Sequence, residues 1–261
     1  MSAPEPLLWH IWLSHYSEKA RWALDFKRVP HRRRALPGGF HMPLALALTH
    51  GEIYTFPVLV FDDEVVGDSS AIIGALERRF PEPSLYPEDP VERRRALDLE
   101  DWFDEELGPS VRLLAWHELV KDPERLTRMM DQFLPPRARG TDAARSAAAR
   151  FAVVFTDLRY GVKSDESAER SRERVLAGLD RLEAELDGNE YLAGDRFSVA
   201  DLTAAALFYP LVLPPEGPDL GDAPDALEQF RAPLEARPAF QWVLETYRRH
   251  RHLAPAVVAV R

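Results

Sequence analysis

The feature that most constrains the fold of this chain is a proline-rich segment, PEPSLYPEDP, at residues 81–90. Four of its ten residues are proline, which lacks a backbone N–H and has a fixed φ angle, so neither a helix nor a central strand tolerates the segment. Strand signals precede it and are almost absent after it. The sequence therefore predicts two domains, residues 1–82 and 91–261, joined by a linker at 83–90.

The first domain is predicted to alternate strands and helices. LLWHIW (7–12) is a short apolar run typical of a buried strand. HRRRAL (31–36) is predicted to be a second strand, whose charges suit the edge of a sheet. PVLVFD (57–62) and EVVG (64–67) are separated by a tight turn and indicate a hairpin. Helices are predicted at EKARWALDF (18–26), HMPLALAL (41–48) and SSAIIGALERRF (69–80). The resulting order is β-α-β-α-β-β-α.

The second domain is predicted to be entirely helical, which makes the fold class α/β plus all-α. A short-helix or irregular insertion is predicted at 119–141, and LPPEGPDLGDAP (213–224) is predicted to be a loop. In FSVADL, Ser198 and Asp201 have capping-box spacing, which indicates a helix start. The predicted helices are VERRRALDLEDWFDEEL (91–107), DAARSAAARFAVVFTDL (142–158), ERSRERVLAGLDRLEAELDG (169–188), SVADLTAAALFYPLVL (198–213) and PAFQWVLETYRRHR (238–251).

Composition excludes several classes of function. The formal net charge of −10 argues against a nucleic-acid partner, because phosphate binding needs a basic face. The absence of cysteine excludes disulfides, thiolate metal sites and cysteine catalysis. The eight histidines form no cluster with metal-ligand spacing, so no metal is predicted. No apolar run approaches the roughly 18 residues of a membrane span, and no secretory signal is recognisable, so a cytoplasmic protein without a membrane partner is predicted.

The stretch LSHYSEKARW (13–22) places Ser14 and Ser17 between a predicted strand and a predicted helix. The first turn of a helix has free backbone N–H groups and the positive end of the helix dipole, so it stabilises a bound anion, including a thiolate. A serine hydroxyl at this corner can also donate a hydrogen bond to the sulfur of a thiol substrate. Serine is equally a preferred helix cap. Position alone leaves both interpretations open.

Two further short motifs lie at the ends of predicted strands. In TFPVLV (55–60), a proline directly precedes a strand, where its missing N–H is not needed and a cis peptide bond is allowed. In GDSSAI (67–72), Asp68 can accept a hydrogen bond from an ammonium group, and Ser69 with the following N–H groups can bind a carboxylate. A plain helix cap is the alternative interpretation of this second motif.

Together and in this order, the motifs resemble those of the glutathione transferase family over roughly residues 6–250. LSHYSEKARWAL is similar to the family's S-P-Y-S-x-K segment, PVLV to its cis-proline strand and GDSSAI to its acidic-Ser motif. YLAGDRFSVADL is similar to the entry into the family's core helix. The resemblance implies an N-terminal thioredoxin-like domain, a C-terminal helical-bundle domain and a homodimer.

The resemblance also implies roles for individual residues. Ser14 lies at the family's catalytic serine, whose hydroxyl stabilises the thiolate of reduced glutathione, the implied co-substrate. Pro57 lies at the cis-proline, and Val58 at the residue whose free strand edge pairs with the cysteinyl part. Asp68 and Ser69 lie at the pair that binds the γ-glutamyl end. The implied glutathione contacts are Ser17, Phe56, Pro57, Val58, Asp68, Ser69 and His41, and the implied walls of a pocket for a small hydrophobic electrophile are Trp12, Leu13, Trp102 and Trp116.

Other functions fit parts of the same pattern. The fold also serves as a non-catalytic binding or interaction module, for which the basic run KRVPHRRR (27–34) is a candidate patch. A glutathione-dependent isomerase or dehalogenase has the same sequence features. An α/β-hydrolase with Ser69 as nucleophile is disfavoured, because the helical second half supplies no strands for its partners.

Overall fold

The computed structural model describes residues 5–36, 39–135, 137–252 and 257–259. The first part of the chain has the predicted β-α-β-α-β-β-α order, and helices dominate the remainder. The strands are β1 (Leu7–His10), β2 (His31–Ala35), β3 (Val58–Val60), β4 (Val65–Gly67) and β5 (Val257–Ala259). The helices are α1 (His15–Phe26), α2 (His41–Leu48), α3 (Ser69–Arg79), α4 (Pro90–Trp102), α5 (Gly108–Val120), α6 (Pro123–Met130), α7 (Asp142–Tyr160), α8 (Asp165–Leu186), α9 (Val199–Val212), α10 (Asp225–Arg231) and α11 (Pro238–His250).

The strands form one mixed sheet in the order β4-β3-β1-β2-β5. β1 pairs with β2 in parallel and with β3 antiparallel, and the predicted β3–β4 hairpin is confirmed. The sequence did not predict β5, which pairs in parallel with β2, matching His31 with Val257. The basic strand β2 is therefore interior in the sheet, and the prediction that it lies at an edge was wrong.

Helix α9 is the centre of the core. Every residue of α9 is buried, and it packs against α1, α4, α5 and α11. The predicted capping box at its start is confirmed, because the Asp201 carboxylate accepts from the Ser198 N–H at 2.8 Å. Asp201 also accepts from the Leu192 N–H at 2.8 Å, which ties the preceding turn to the helix. None of the helices that the structure describes is both long and apolar enough to cross a membrane.

The insertion predicted at 119–141 contains helix α6, which packs against the following helix α7. The two helices share a small core of Leu126, Met130, Ala149 and Ala152. Helix α7 also reaches the first domain. Its Phe155 ring lies 6.4 Å from the His41 ring, and its Phe151 ring lies 5.4 Å from the Phe40 ring. Helix α7 therefore covers one side of the region where the sequence predicts a thiol site.

Candidate functional site

Ser14 is the N-cap of α1, at the corner where β1 leads into that helix. Its Oγ accepts a hydrogen bond from the Ser17 N–H at 3.2 Å, as a cap does. A serine hydroxyl has two acceptor lone pairs and one donor, and this cap uses only an acceptor. The Ser14 side chain is half-buried, so solvent still reaches it. The capping and donor interpretations are therefore compatible.

Ser17 lies on the inner side of the same corner. Its side chain is fully buried, and its Oγ accepts from the Ile11 N–H at 3.2 Å. This hydrogen bond links the first turn of α1 to the loop that leads into it. The structure thus places Ser17 beneath the surface that Ser14 occupies.

The carbonyl groups of the loop before Ser14 accept hydrogen bonds from side chains of α1 and α9. Arg21, buried in α1, donates to the carbonyls of Ile11 at 3.4 Å and Trp12 at 3.2 Å. The Tyr209 hydroxyl of α9 donates to the Leu13 carbonyl at 2.8 Å. These contacts fix the backbone that positions the Ser14 hydroxyl, because each carbonyl has a directed partner.

A buried ion-pair network holds Arg21 in place. Its Nε lies 2.8 Å from Glu18, which is also paired with Arg251 at 2.6 Å. Arg251 follows α11 and also pairs with Asp25 at 2.8 Å. Because Arg251 directly follows α11, the network connects the Ser14 corner to the last helix of the second domain.

The Phe56–Pro57 peptide bond is cis, as the resemblance implied. Val58 pairs with Trp9 of β1 and with Gly67 of β4, so β3 is interior at this residue. The expectation that Val58 offers a free strand edge was therefore wrong. Phe56 precedes the first paired residue of β3, so its backbone lies outside the strand pairing. Its ring lies 5.6 Å from that of the buried His41.

Asp68 is the N-cap of α3 and has unusual backbone angles. Its φ of 76° and ψ of 140° lie in a region that a residue with a Cβ adopts at a cost of about 1–3 kcal/mol. The exposed Asp68 carboxylate accepts from the N–H groups of Ser70 and Ala71. Ser69 is buried, and its hydroxyl has no hydrogen-bond partner in the part of the chain that the structure describes.

A second buried cation joins α3 to the helical domain. The Lys19 ammonium lies 2.8 Å from Glu100 and 2.8 Å from the Ser70 hydroxyl, and it also contacts Asp104. Burial lowers the pKa of Lys19, but Asp104 and Glu100 together raise it above its usual value. Asp104 belongs to a π-helical segment, Phe103–Leu107, and also accepts from Ser70 at 2.7 Å.

A cavity of about 620 Å³, including its open mouth, adjoins the Ser14 corner. Leu13 and His15, the two neighbours of Ser14, form part of its wall. The opposite wall is mainly apolar and includes residues of the Pro/Gly-rich loop. Apolar side chains that line it from α5, α6, that loop and α10 include Ala115, Trp116, Leu119, Met129, Leu220, Ala223 and Leu227.

Two of the four residues that the sequence assigned to the electrophile pocket line this cavity, namely Leu13 and Trp116. The other two lie elsewhere. Trp12 is 37% exposed, with the Arg21 guanidinium 5.6 Å from its ring. Trp102 packs beside Phe103, with the Arg181 guanidinium of α8 5.0 Å from its ring. Neither is among the residues that line the cavity.

Sequence reasoning missed a row of alternating aromatic and arginine side chains beside the corner. The Arg112 guanidinium lies 5.8 Å from the Tyr16 ring and 4.2 Å from the Tyr160 ring. Arg159 lies 5.3 Å from the Tyr160 ring and donates to the Tyr54 hydroxyl at 3.0 Å. No local pattern indicated this row, because its members come from α1, α5, α7 and the loop before Pro57.

Within the described residues, no group of three or more His, Asp or Glu is arranged to hold a metal ion. The buried His15 is neutral at physiological pH. Burial, and then the nearby Arg112 guanidinium, lower the pKa of His15 to about 3, against an opposing contribution from the Gly108 carbonyl. The arrangement can bind an anion at the Ser14 corner and hold an apolar molecule beside it.

Comparisons with known proteins match both parts of the chain. A family model described as glutathione S-transferase, N-terminal domain, matches residues 8–84, and one described as glutathione S-transferase, C-terminal domain, matches residues 139–238. FtsZ-localized protein A of Caulobacter vibrioides is 29% identical over 260 residues, covering 97% of this chain and 95% of that protein. A probable glutathione S-transferase of Nicotiana tabacum is 25% identical over 195 residues, covering 74% and 66%. The crystal structure of a glutathione S-transferase from Rhodospirillum rubrum F11 matches with a TM-score of 0.58 and 25% identity, covering 92% and 91%.

Proposed function

The chain belongs to the glutathione S-transferase family, and from that premise we propose that it binds reduced glutathione at the β1–α1 corner and activates its thiol. Ser14 donates a hydrogen bond to the bound thiolate, which attacks a small hydrophobic electrophile in the adjoining cavity. One observation carries this proposal. Among the described residues the Ser14 hydroxyl accepts one hydrogen bond and donates none, and its neighbours Leu13 and His15 line the cavity.

The energetic demand on Ser14 is modest. A free thiol with a pKa near 8.5 is mostly protonated at neutral pH. One charge-assisted hydrogen bond contributes about 1.5–3 kcal/mol, which corresponds to roughly one to two pKa units. The first-turn N–H groups of α1 and the helix dipole favour the same anion. These contributions ionise much of the bound thiol near neutral pH.

The remaining contacts follow the extended shape of the tripeptide. Asp68 accepts from the γ-glutamyl ammonium, and the Ser69 hydroxyl binds its carboxylate, which supplies the partner that the buried hydroxyl lacks. The backbone of Phe56, ahead of β3, pairs with the cysteinyl part. His41 lies near the glycine end, beside Phe56. A homodimer and a cytoplasmic location complete the proposal, and light scattering of the purified protein tests the first of these.

An ultraviolet difference titration of bound thiolate tests the proposal. Reduced glutathione is added at several pH values to the wild type, to Ser14→Ala and to Ser164→Ala. Ser164 caps α8 in the same way, accepting from the Ser167 N–H at 3.1 Å, but its chain neighbours, unlike those of Ser14, do not line the cavity. The thiolate signal is expected near neutral pH in the wild type and in Ser164→Ala, and not in Ser14→Ala. If glutathione does not bind to the wild type at all, the proposed function is wrong.

A second candidate function is protein binding without catalysis, favoured by one surface feature of helix α7. Phe151, Val154 and Leu158 follow one face of α7 and are 44%, 53% and 85% exposed. Apolar residues rarely form an exposed stripe unless a partner covers it. The chain also aligns over nearly its whole length with FtsZ-localized protein A, so FtsZ is the partner to test.

Co-sedimentation with FtsZ filaments tests this second function. Leu158→Glu places a charge in the stripe, whereas Val91→Glu places one at an exposed apolar residue of α4. Binding that is lost in Leu158→Glu and kept in Val91→Glu supports docking through α7. Equal sedimentation of the wild type with and without FtsZ excludes this partner.

A further inference from the structure

Arg112 of α5 is a cation without a carboxylate partner. All 43 Asp and Glu residues of the chain lie in the part that the structure describes, and none of them forms an ion pair with Arg112 there. Its Nε atom is buried and has no hydrogen-bond partner among the described residues. The side chain as a whole is half-buried. A charged group that is partly withdrawn from water and lacks a partner favours the binding of an anion.

The contacts of Arg112 orient its charge without neutralising it. The guanidinium lies between the Tyr16 and Tyr160 rings, at 5.8 and 4.2 Å from their centres. Cation–π contacts of this kind hold the planar group in one orientation. The N–H groups at the edge of the plane remain donors, and their fork matches the two oxygens of a carboxylate or sulfonate.

A second arginine in the same cavity provides an internal comparison. Arg125 also lines the cavity, but its Nε lies 3.1 Å from the Asp122 carboxylate, and it donates to the Asp222 carbonyl. Its charge is therefore already compensated. The Asp222 side chain is exposed at the cavity mouth. Among the described residues that line the cavity, Arg112 is the cation without an ion-pair partner, and the buried His15 is neutral.

We propose that the molecule bound in this cavity carries an anionic group, a carboxylate or sulfonate, which Arg112 binds while an apolar body packs on Trp116, Leu119 and Leu227. That this molecule is the electrophile rests on the proposed function, but the binding itself does not. The ligand class is therefore an aromatic or aliphatic acid rather than a neutral hydrophobic compound.

A matched pair of probes tests the inference without glutathione. Calorimetry compares trans-cinnamate with trans-cinnamamide, which have nearly the same shape and differ in charge. The wild type is expected to bind cinnamate at least roughly tenfold more tightly, as one charge-assisted hydrogen bond provides. Arg112→Met is expected to remove this preference, and Arg112→Lys to keep part of it. Arg125→Met, the control in the same cavity, is expected to keep it.

Three results would overturn the inference: equal binding of the two probes to the wild type, no binding of either, or a preference that survives in Arg112→Met. The comparison of cinnamate with cinnamamide in the wild type tests the inference even if Arg112→Met fails to fold. Ser14→Ala separates the two proposals, because it should lose thiol ionisation and keep the cinnamate preference. A wild type that prefers cinnamate but does not bind glutathione would refute only the proposed function.

Discussion

The motif S-x-x-S occurs twice at a helix start in this chain, and the two copies have almost the same local geometry. Ser14 has φ −79° and ψ 123°, and Ser164 has φ −80° and ψ 111°. Each hydroxyl accepts from the N–H group three residues later, at 3.2 and 3.1 Å. Both serines are half-buried. By local criteria the two corners are interchangeable.

Their surroundings differ. The first turn of α8 carries two exposed acids, Asp165 and Glu166, which interact favourably with the helix dipole and form exposed ion pairs with Lys121 and Arg170. The first turn of α1 is mostly buried, and its acid, Glu18, forms buried ion pairs with two arginines. Beside it lie a cavity and the unpaired Arg112. The local motif therefore starts a helix, and the tertiary environment makes one of the two starts suitable for an anion.

The largest expected difference between the corners concerns the arginine that follows each motif. Arg21→Met removes a fully buried ion-pair partner of Glu18 and the donors to the Ile11 and Trp12 carbonyls. We expect a loss of about 3–5 kcal/mol in the free energy of unfolding. Arg170→Met removes an exposed pair with Glu166 and should cost less than about 0.5 kcal/mol. Urea denaturation of both variants measures the difference, and equal losses would contradict the argument that α1 is anchored by its ion pairs.

A smaller effect is expected from acid. His15 is buried, and its folded-state pKa of about 3 lies below the ordinary value of 6.5. The unfolded chain therefore binds more protons between these values, so stability is complete above pH 6.5 and falls as the pH decreases towards 3. By pH 5 the loss from this residue is about 2 kcal/mol.

His15→Gln should flatten this part of the stability curve. Thermal unfolding between pH 7 and 5 compares it with His50→Gln, whose histidine is exposed. A wild-type slope that persists in His15→Gln would show that other groups cause the acid sensitivity. The first turn of α8 contains no histidine, so this pH dependence is expected only from the start of α1.

The difference between the corners also shows what the sequence can predict. The strand–helix order and the capping box at Ser198 depend on residues close together in the chain and were predicted from them, whereas the cis Phe56–Pro57 bond was implied by the family resemblance. Strand β5, the interior position of Val58 and the Arg112 contacts depend on partners far away in sequence. Periodicity and spacing carry no information about such partners, so the cavity and its cation appeared only in the structure.

The smallest expected effect, the loss of one cap hydrogen bond, compares the two helix starts most directly. Ser14→Ala and Ser164→Ala each remove one cap hydrogen bond, so each should lower the free energy of unfolding by about 1 kcal/mol. The two serines share no partner, and the double variant should therefore show the sum of the two losses. If Ser14→Ala costs clearly less than Ser164→Ala, then Ser14 contributes less to the stability of its helix than Ser164 does. If the two costs agree, the thiolate titration alone separates the corners, because a capping role predicts the same stability loss from both variants and no loss of thiol ionisation from either.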